Sequence, residues 1–200
     1  MVKAIDFYFD FSSPYGYFAS LEVDALAERH GRTVTWRPIL LGVLFKTTGQ
    51  SPLLDQPLRG AYARRDLERT ARRLGVPFTI PAAFPINALQ ASRAFYWLVD
   101  RDERIGRDFA RAVFYAIFAE GRDLGPAQAV IALAGALGRP AEEISAALGD
   151  PGVKDRLRRK VDAALADGIF GSPTVVVDGE PFWGFDRFAD VERWLATGGW

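Results

Sequence analysis

The stretch Phe9-Asp-Phe-Ser-Ser-Pro-Tyr-Gly-Tyr-Phe18 (FDFSSPYGYF) sets an aromatic-rich run directly against Ser-Ser-Pro, the punctuation that opens a helix. Upstream, Ala4 to Phe11 reads as a short strand with Ile5, Phe7, Phe9 and Phe11 on one face and Tyr8 on the other. Apolar side chains on both faces predict a central strand. Downstream, Pro14 suits the first helical position, where a missing N–H has no consequence, and Ser13 falls at the N-cap. Phe18, Leu21, Ala25 and Leu26 continue an apolar stripe toward His30, and Gly31 reads as the residue that ends the helix in left-handed backbone. Thr33 to Pro38 (TVTWRP) is a second strand, so residues 1–40 read as a β-α-β unit.

From Gly42 to Pro57 glycine, serine and proline recur, and helical periodicity then holds over about a hundred residues, room for about five helices. Ala63, Leu67, Thr70, Ala71 and Leu74 repeat at helical spacing up to Gly75, and Pro85, Pro126, Pro140 and Pro151 each stand where a helix can begin. Leu157, Val161, Ala164 and Leu165 form the stripe of the last long helix before Gly168. After Gly171 the pattern returns to β: a strand from Pro173 runs into an Asp178-Gly179 turn, Pro181 to Trp183 return, and Asp186 caps a closing helix carrying Phe188, Val191 and Leu195. The expected order is β-α-β, a helical block, then β-β-α, an α/β fold without internal repeats.

Composition narrows the chemistry. The chain has 200 residues, 49% of them apolar, enough for a substantial core. Its 25 basic and 25 acidic residues balance, so no net field favours nucleic acid or an anionic membrane, and a small ligand is the expected partner. There is no cysteine, which excludes disulfides, thiolate metal sites and a cysteine nucleophile, and a single histidine leaves too few ligands for zinc. Met1 to Asp6 lacks the apolar core of a signal peptide and no stretch has the length of a membrane span, so the expected location is the cytoplasm. On the arginine-rich segment, Arg64, Arg65, Arg69, Arg72 and Arg73 are interrupted by Asp66 and Glu68, the mark of a solvated helix face.

Six motifs, in order, carry a family resemblance: Phe7-Tyr-Phe-Asp-Phe-Ser-Ser-Pro-Tyr15; Trp36-Arg-Pro with Leu40-Leu-Gly-Val-Leu-Phe-Lys46; Asp66-Leu-Glu-Arg69; Phe84-Pro-Ile-Asn87; Gly171-Ser-Pro-Thr174; and Trp183-Gly-Phe-Asp-Arg187. On these the chain resembles the kappa-class glutathione transferases and, more closely, the 2-hydroxychromene-2-carboxylate isomerases, within the DsbA-like thioredoxin-fold superfamily. The resemblance implies a discontinuous thioredoxin-like domain, residues 1–40 and 169–200, with an inserted all-helical domain, residues 41–168. It also implies glutathione as cofactor, a carboxylate-bearing intermediate of aromatic degradation as substrate, and a homodimer.

Taken alone, Ser13 is a helix cap, a role that Ser12 could serve equally. The resemblance equates it with the family's catalytic serine, at the position where disulfide-exchanging relatives carry their attacking cysteine. A glutathione thiol, with a pKa of about 8.5 like free cysteine, is mostly protonated at neutral pH; a hydroxyl donor and a helix N-terminus would stabilise its thiolate. Ser13 is thus read as a donor to sulfur rather than an attacking oxygen, because the lone His30 sits at the helix's far end and cannot serve as its base. The resemblance further implies a cis bond before Pro173, Ser172 backbone pairing with glutathione's cysteinyl amide, and Asp186 with the preceding residue holding the γ-glutamyl end. That preceding residue is Phe185, not the usual polar side chain, so only its backbone is available. Gln50 stands where relatives often carry asparagine, and Arg59 where a lysine is usual before Tyr62. Arg37, Lys46 and Asn87, polar among apolar neighbours, are candidates for binding a substrate carboxylate; scattered surface groups are the plainer reading. A transferase that conjugates glutathione to electrophiles, or a noncatalytic binding protein of the same fold, are the alternatives.

Overall fold

A computed structural model describes residues 4–200; residues 1–3, which open the expected segment 1–40, lie outside the described residues. The chain begins β1 (Ile5–Phe9), α1 (Pro14–Arg29) and β2 (Val34–Pro38). A helical block follows: α2 (Leu41–Thr48), α3 (Arg59–Leu74), α4 (Leu89–Val99), α5 (Glu103–Phe118), α6 (Ala127–Ala136), α7 (Ala141–Gly149) and α8 (Pro151–Ala166). It closes with β3 (Thr174–Val177), β4 (Glu180–Trp183), a 3₁₀ turn (Phe185–Arg187) and α9 (Phe188–Thr197). The expected thioredoxin-like order is therefore observed.

The four strands run β2-β1-β3-β4. β1 pairs in parallel with β2 and antiparallel with β3, which puts it at the centre, as expected. Ile5, Phe7, Phe9 and Phe11 are fully buried. Phe7 and Phe9 meet Trp36 edge-on at 5.1 and 5.4 Å, and Trp36 Nε1 donates to Asp24 of α1, so this is the face that α1 covers. Asp6 and Tyr8, alternating with them, share the opposite face with Arg37, the register partner of Tyr8. There they meet Tyr96 and the Lys160 to Asp167 side of α8. The Asp178-Gly179 hairpin turn takes positive φ at both residues (53° and 100°), the geometry that favours Asp-Gly.

Several expectations need correction. After Pro57 the described residues form six α-helices where about five were expected, and Leu41–Thr48 is a further helix at the start of the glycine-, serine- and proline-rich stretch, where none was expected. Pro126, Pro140 and Pro151 do stand at helix starts, but Pro85 does not: the Phe84–Pro85 bond is cis and α4 begins only at Leu89. On α1, Leu21 and Ala25 are exposed, and the buried stripe is Ala19, Val23, Leu26 and Ala27. Asp186 does not cap α9. The chain first makes the 3₁₀ turn, and the Asp186 carboxylate accepts from Arg187 Nη2 at 2.9 Å.

Candidate active site

Ser13 is the N-cap of α1, with extended backbone (φ −90°, ψ 113°) and Pro14 at the first helical position. Its Oγ accepts from Gly16 N–H at 3.0 Å and donates to the backbone carbonyl of Ser172 at 3.0 Å. The second bond crosses from the β1–α1 loop to the segment entering β3, where Ser172–Pro173 is cis, as the resemblance implies. Ser172 Oγ in turn accepts from Asp10 N–H at 2.9 Å. One hydrogen-bonded chain thus ties the end of β1, the mouth of α1 and the start of β3. Tyr15 N–H, in the first turn of α1, has no acceptor among the described residues, as expected of a helix N-terminus open to a ligand. His30 is the C-cap of α1 at the opposite end, its Nε2 3.9 Å from a Glu192 carboxylate oxygen.

Sequence reasoning passed over Asp10. Its carboxylate is 2% exposed and accepts from Ser12 N–H at 2.7 Å and from Leu41 N–H, the first residue of α2, at 2.6 Å. Burial raises its pKa, and those two N–H groups oppose the rise. The signal was present: an acid inside an apolar strand end must find donors or remain costly. Tyr15 was passed over as well. Its hydroxyl donates to Asp66 Oδ2 at 2.7 Å, and burial followed by that carboxylate pushes its pKa up, with Asp186 adding to the rise. Gly184 N–H donates to the Pro173 carbonyl at 2.9 Å, which sets the 3₁₀ turn carrying Asp186 beside the cis Ser172–Pro173 segment. Arg69 closes the cluster through Asp66 Oδ1 at 2.5 Å.

The remaining candidates separate. The Phe185 side chain is buried against Phe188 and Phe18, with ring centroids 5.1 and 6.0 Å apart, so it belongs to the core. Asp186 is exposed and paired with Arg187. Gln50 and Lys46 are exposed around the end of α2. Asn87 is exposed and its Oδ1 accepts from Leu89 N–H at 3.1 Å, a turn-forming bond ahead of α4. Arg37 lies on the sheet face away from α1, its Nε donating to Asp6 at 2.7 Å. The structure therefore gathers Ser13, Ser172 and Pro173, sets Asp186 nearby, and keeps Arg37 apart. Arg64, Arg65, Arg69, Arg72 and Arg73 all face solvent, as their spacing predicts.

A cysteine-free thioredoxin-like sheet with a serine at the mouth of α1 defines a class: residues 4–196 match the DSBA-like thioredoxin domain, and the chain belongs to that family. Within it, the chain is 29% identical over 197 residues to a 2-hydroxychromene-2-carboxylate isomerase of Sphingobium xenophagum, covering 98% of this chain and 99% of the relative. It is 26% identical over 207 residues to glutathione S-transferase kappa 2 of Caenorhabditis elegans, covering 97% and 92%. Among solved structures it superposes on a 2-hydroxychromene-2-carboxylate isomerase with a TM-score of 0.87 at 28% identity, covering 98% of this chain and 95% of that one. Near-full-length similarity to named isomerases supports an isomerase. No helix among the described residues is long and apolar enough to cross a membrane.

Proposed function

We propose that this chain is a glutathione-dependent isomerase of the 2-hydroxychromene-2-carboxylate type, acting on a keto acid or hemiketal of aromatic catabolism. The observation that carries the reading is the Ser13 hydroxyl, held at the N-terminus of α1 and bonded across to Ser172 beside Pro173, in a chain without cysteine. The donor set fits a thiolate: one hydroxyl, the free Tyr15 N–H and the positive end of a helix. Bound glutathione would supply a sulfur nucleophile that adds to the unsaturated substrate and leaves unchanged.

The chain's own residues then have defined tasks. The Ser13 hydroxyl can direct its hydrogen bond either to the Ser172 carbonyl or to an anion; a charge-assisted bond is about twice as strong as a neutral one, so a thiolate draws the hydrogen bond while the proton stays on the serine oxygen. The Gly16 N–H bond keeps Ser13 Oγ aimed while this exchange occurs. The backbone of Ser172 pairs with the peptide portion of glutathione in the manner of an added strand. Asp186, and the backbone of Phe185, hold the γ-glutamyl end. Gln50 lies at the rim, and of Arg37, Lys46 and Asn87 only the two exposed ones, Lys46 and Asn87, remain as substrate-carboxylate partners. A homodimer and a cytoplasmic location belong to the same reading; Leu58, 90% exposed, and Tyr62, 63% exposed, give α3 an apolar surface for a second copy.

The test is turnover of 2-hydroxychromene-2-carboxylate with and without glutathione, for the parent chain and Ser13→Ala. Activity should require glutathione, the thiol should be recovered rather than consumed, and the variant should lose ten-fold or more, equivalent to about 1.4 kcal/mol. Full activity without glutathione contradicts the reading. Stoichiometric loss of the thiol favours the conjugating transferase.

A further inference from the structure

Behind the sheet, on the face opposite α1, lies a cleft of about 150 Å³ lined by Asp6, Tyr8, Arg37, Tyr96, Lys160 and Asp167 among others. Its polar groups are unevenly used. Arg37 gives its Nε to Asp6, at 2.7 Å, and its guanidinium lies 5.8 Å from the Tyr8 ring centroid; its two terminal nitrogens have no hydrogen-bond acceptor among the described residues. Lys160, half-buried on α8, has no carboxylate within ion-pair distance among the described residues. Tyr8 is 7% exposed, yet its hydroxyl, at the cleft wall, has no hydrogen-bond partner among the described residues. Tyr96 differs: its hydroxyl is engaged by the Pro38 carbonyl at 3.0 Å. Of the two acids, Asp6 is taken by Arg37, and Asp167 is exposed at the C-terminal end of α8.

We propose that this cleft binds a compact oxyanion, the carboxylate of a small organic acid or a phosphate group, between the Arg37 guanidinium end, the Lys160 ammonium and the Tyr8 hydroxyl. The physical reason is a surplus of donors. The Tyr8 hydroxyl lines the cleft and makes no hydrogen bond among the described residues, so a ligand entering there can engage it without breaking a protein bond. Here a phenol and two cations with unused N–H groups converge on one small space, and a planar or tetrahedral oxyanion can accept from all three at once. Burial, followed by the neighbouring Arg37 and Arg156 charges, lowers the pKa of Lys160, and Asp6 opposes the shift. Space for a few water-sized groups limits the ligand to a small acid or the head of a larger one. The site does not depend on glutathione, since the Arg37, Tyr8 and Lys160 side chains stand on the sheet face away from α1.

Calorimetric titration of the intact chain with malonate, and separately with inorganic phosphate, at ionic strength held constant with chloride, tests this. Saturable binding of at least one anion is expected, weakened ten-fold or more in Lys160→Met, which keeps the aliphatic stem, and several-fold in Tyr8→Phe. Binding in the malonate arm alone identifies a carboxylate site, in the phosphate arm alone a phosphate site, and in both a general oxyanion site. Ser13→Ala should bind the anion as the parent does, which separates this outcome from the fate of the isomerase reading. Heats no larger than a chloride blank in both arms would overturn the proposal. So would binding that persists undiminished in Lys160→Met and Tyr8→Phe variants with parental melting curves, or binding lost in Ser13→Ala.

Discussion

Ser13 and Asp10 hold the mouth of α1 by different means, and their removal should be felt differently. Ser13→Ala takes away an N-cap and should cost about 1 kcal/mol of stability while reducing turnover far more, measurable by denaturant unfolding beside the activity assay. Asp10→Ala leaves the part-buried N–H groups of Ser12 and Leu41 without their acceptor and should cost roughly 2–6 kcal/mol, counting about 1–3 for each orphaned donor. Asp10 also sets a pH dependence. Its folded pKa lies above its unfolded value of 3.8, so between the two the folded state binds the extra proton. Its contribution to stability therefore falls as pH rises from the unfolded value through the folded one. Denaturant midpoints measured upward from pH 4 should show this falling component in the parent and lack it in Asp10→Asn; equal slopes would count against it. Ser13 was legible because Ser-Ser-Pro announces a cap. Asp10 was not, because a lone acid in FDF does not say which backbone groups will reach it from residue 41.

At the scale of elements, α1 is the part whose backbone and chemistry are inseparable. Gly16 lies against the site: a Cβ there would stand 3.1 Å from Ser13 Cβ, 3.2 Å from Ser172 Oγ and 3.3 Å from Ser13 Oγ. Alanine is the better helix former by about 1 kcal/mol, but both neighbouring hydroxyls are pinned, one by Gly16 N–H and Ser172 C=O, the other by Asp10 N–H. Gly16→Ala should change stability by no more than about 1 kcal/mol while turnover falls several-fold, and undiminished turnover would show that the hydroxyls have freedom to shift. Elements with local punctuation were readable: Asp150-Pro151, Asp178-Gly179, Gly31 and Gly75 all fall where expected. The α1 stripe was misjudged because Leu21 and Ala25 fit the periodicity equally well. Only packing on the sheet and α5 shows which arc is covered. Asp186 was misjudged for a similar reason, since a 3₁₀ turn before a helix has no separate signature.

Across the whole molecule, the aromatic core spans the sheet and the helical block. Phe9 of β1 meets Phe114 of α5 at 5.4 Å and Phe95 of α4 at 6.1 Å, and Tyr17 of α1 stacks on Phe118 at 5.8 Å. Such sharing predicts one cooperative transition, with tryptophan fluorescence and far-ultraviolet circular dichroism giving the same denaturant midpoint. Phe9→Ala should lower the unfolding free energy by about 3–5 kcal/mol, shifting that single midpoint downward. Two separated transitions would instead favour the division at residues 40/41 and 168/169 as a boundary between independently stable parts. The β-α-β, helical block, β-β-α order was legible from periodicity alone. The contacts that join its ends were not, because residues 13 and 172 are distant in the chain.

The central claim is that the Ser13 hydroxyl holds a glutathione thiolate. Titrating the ultraviolet absorbance of the bound thiolate tests it most directly. The account predicts a thiol pKa about one unit or more below the free value of about 8.5 in the parent chain, returning toward that value in Ser13→Ala. An unshifted pKa in the parent, or a depressed pKa that survives in Ser13→Ala, would contradict it.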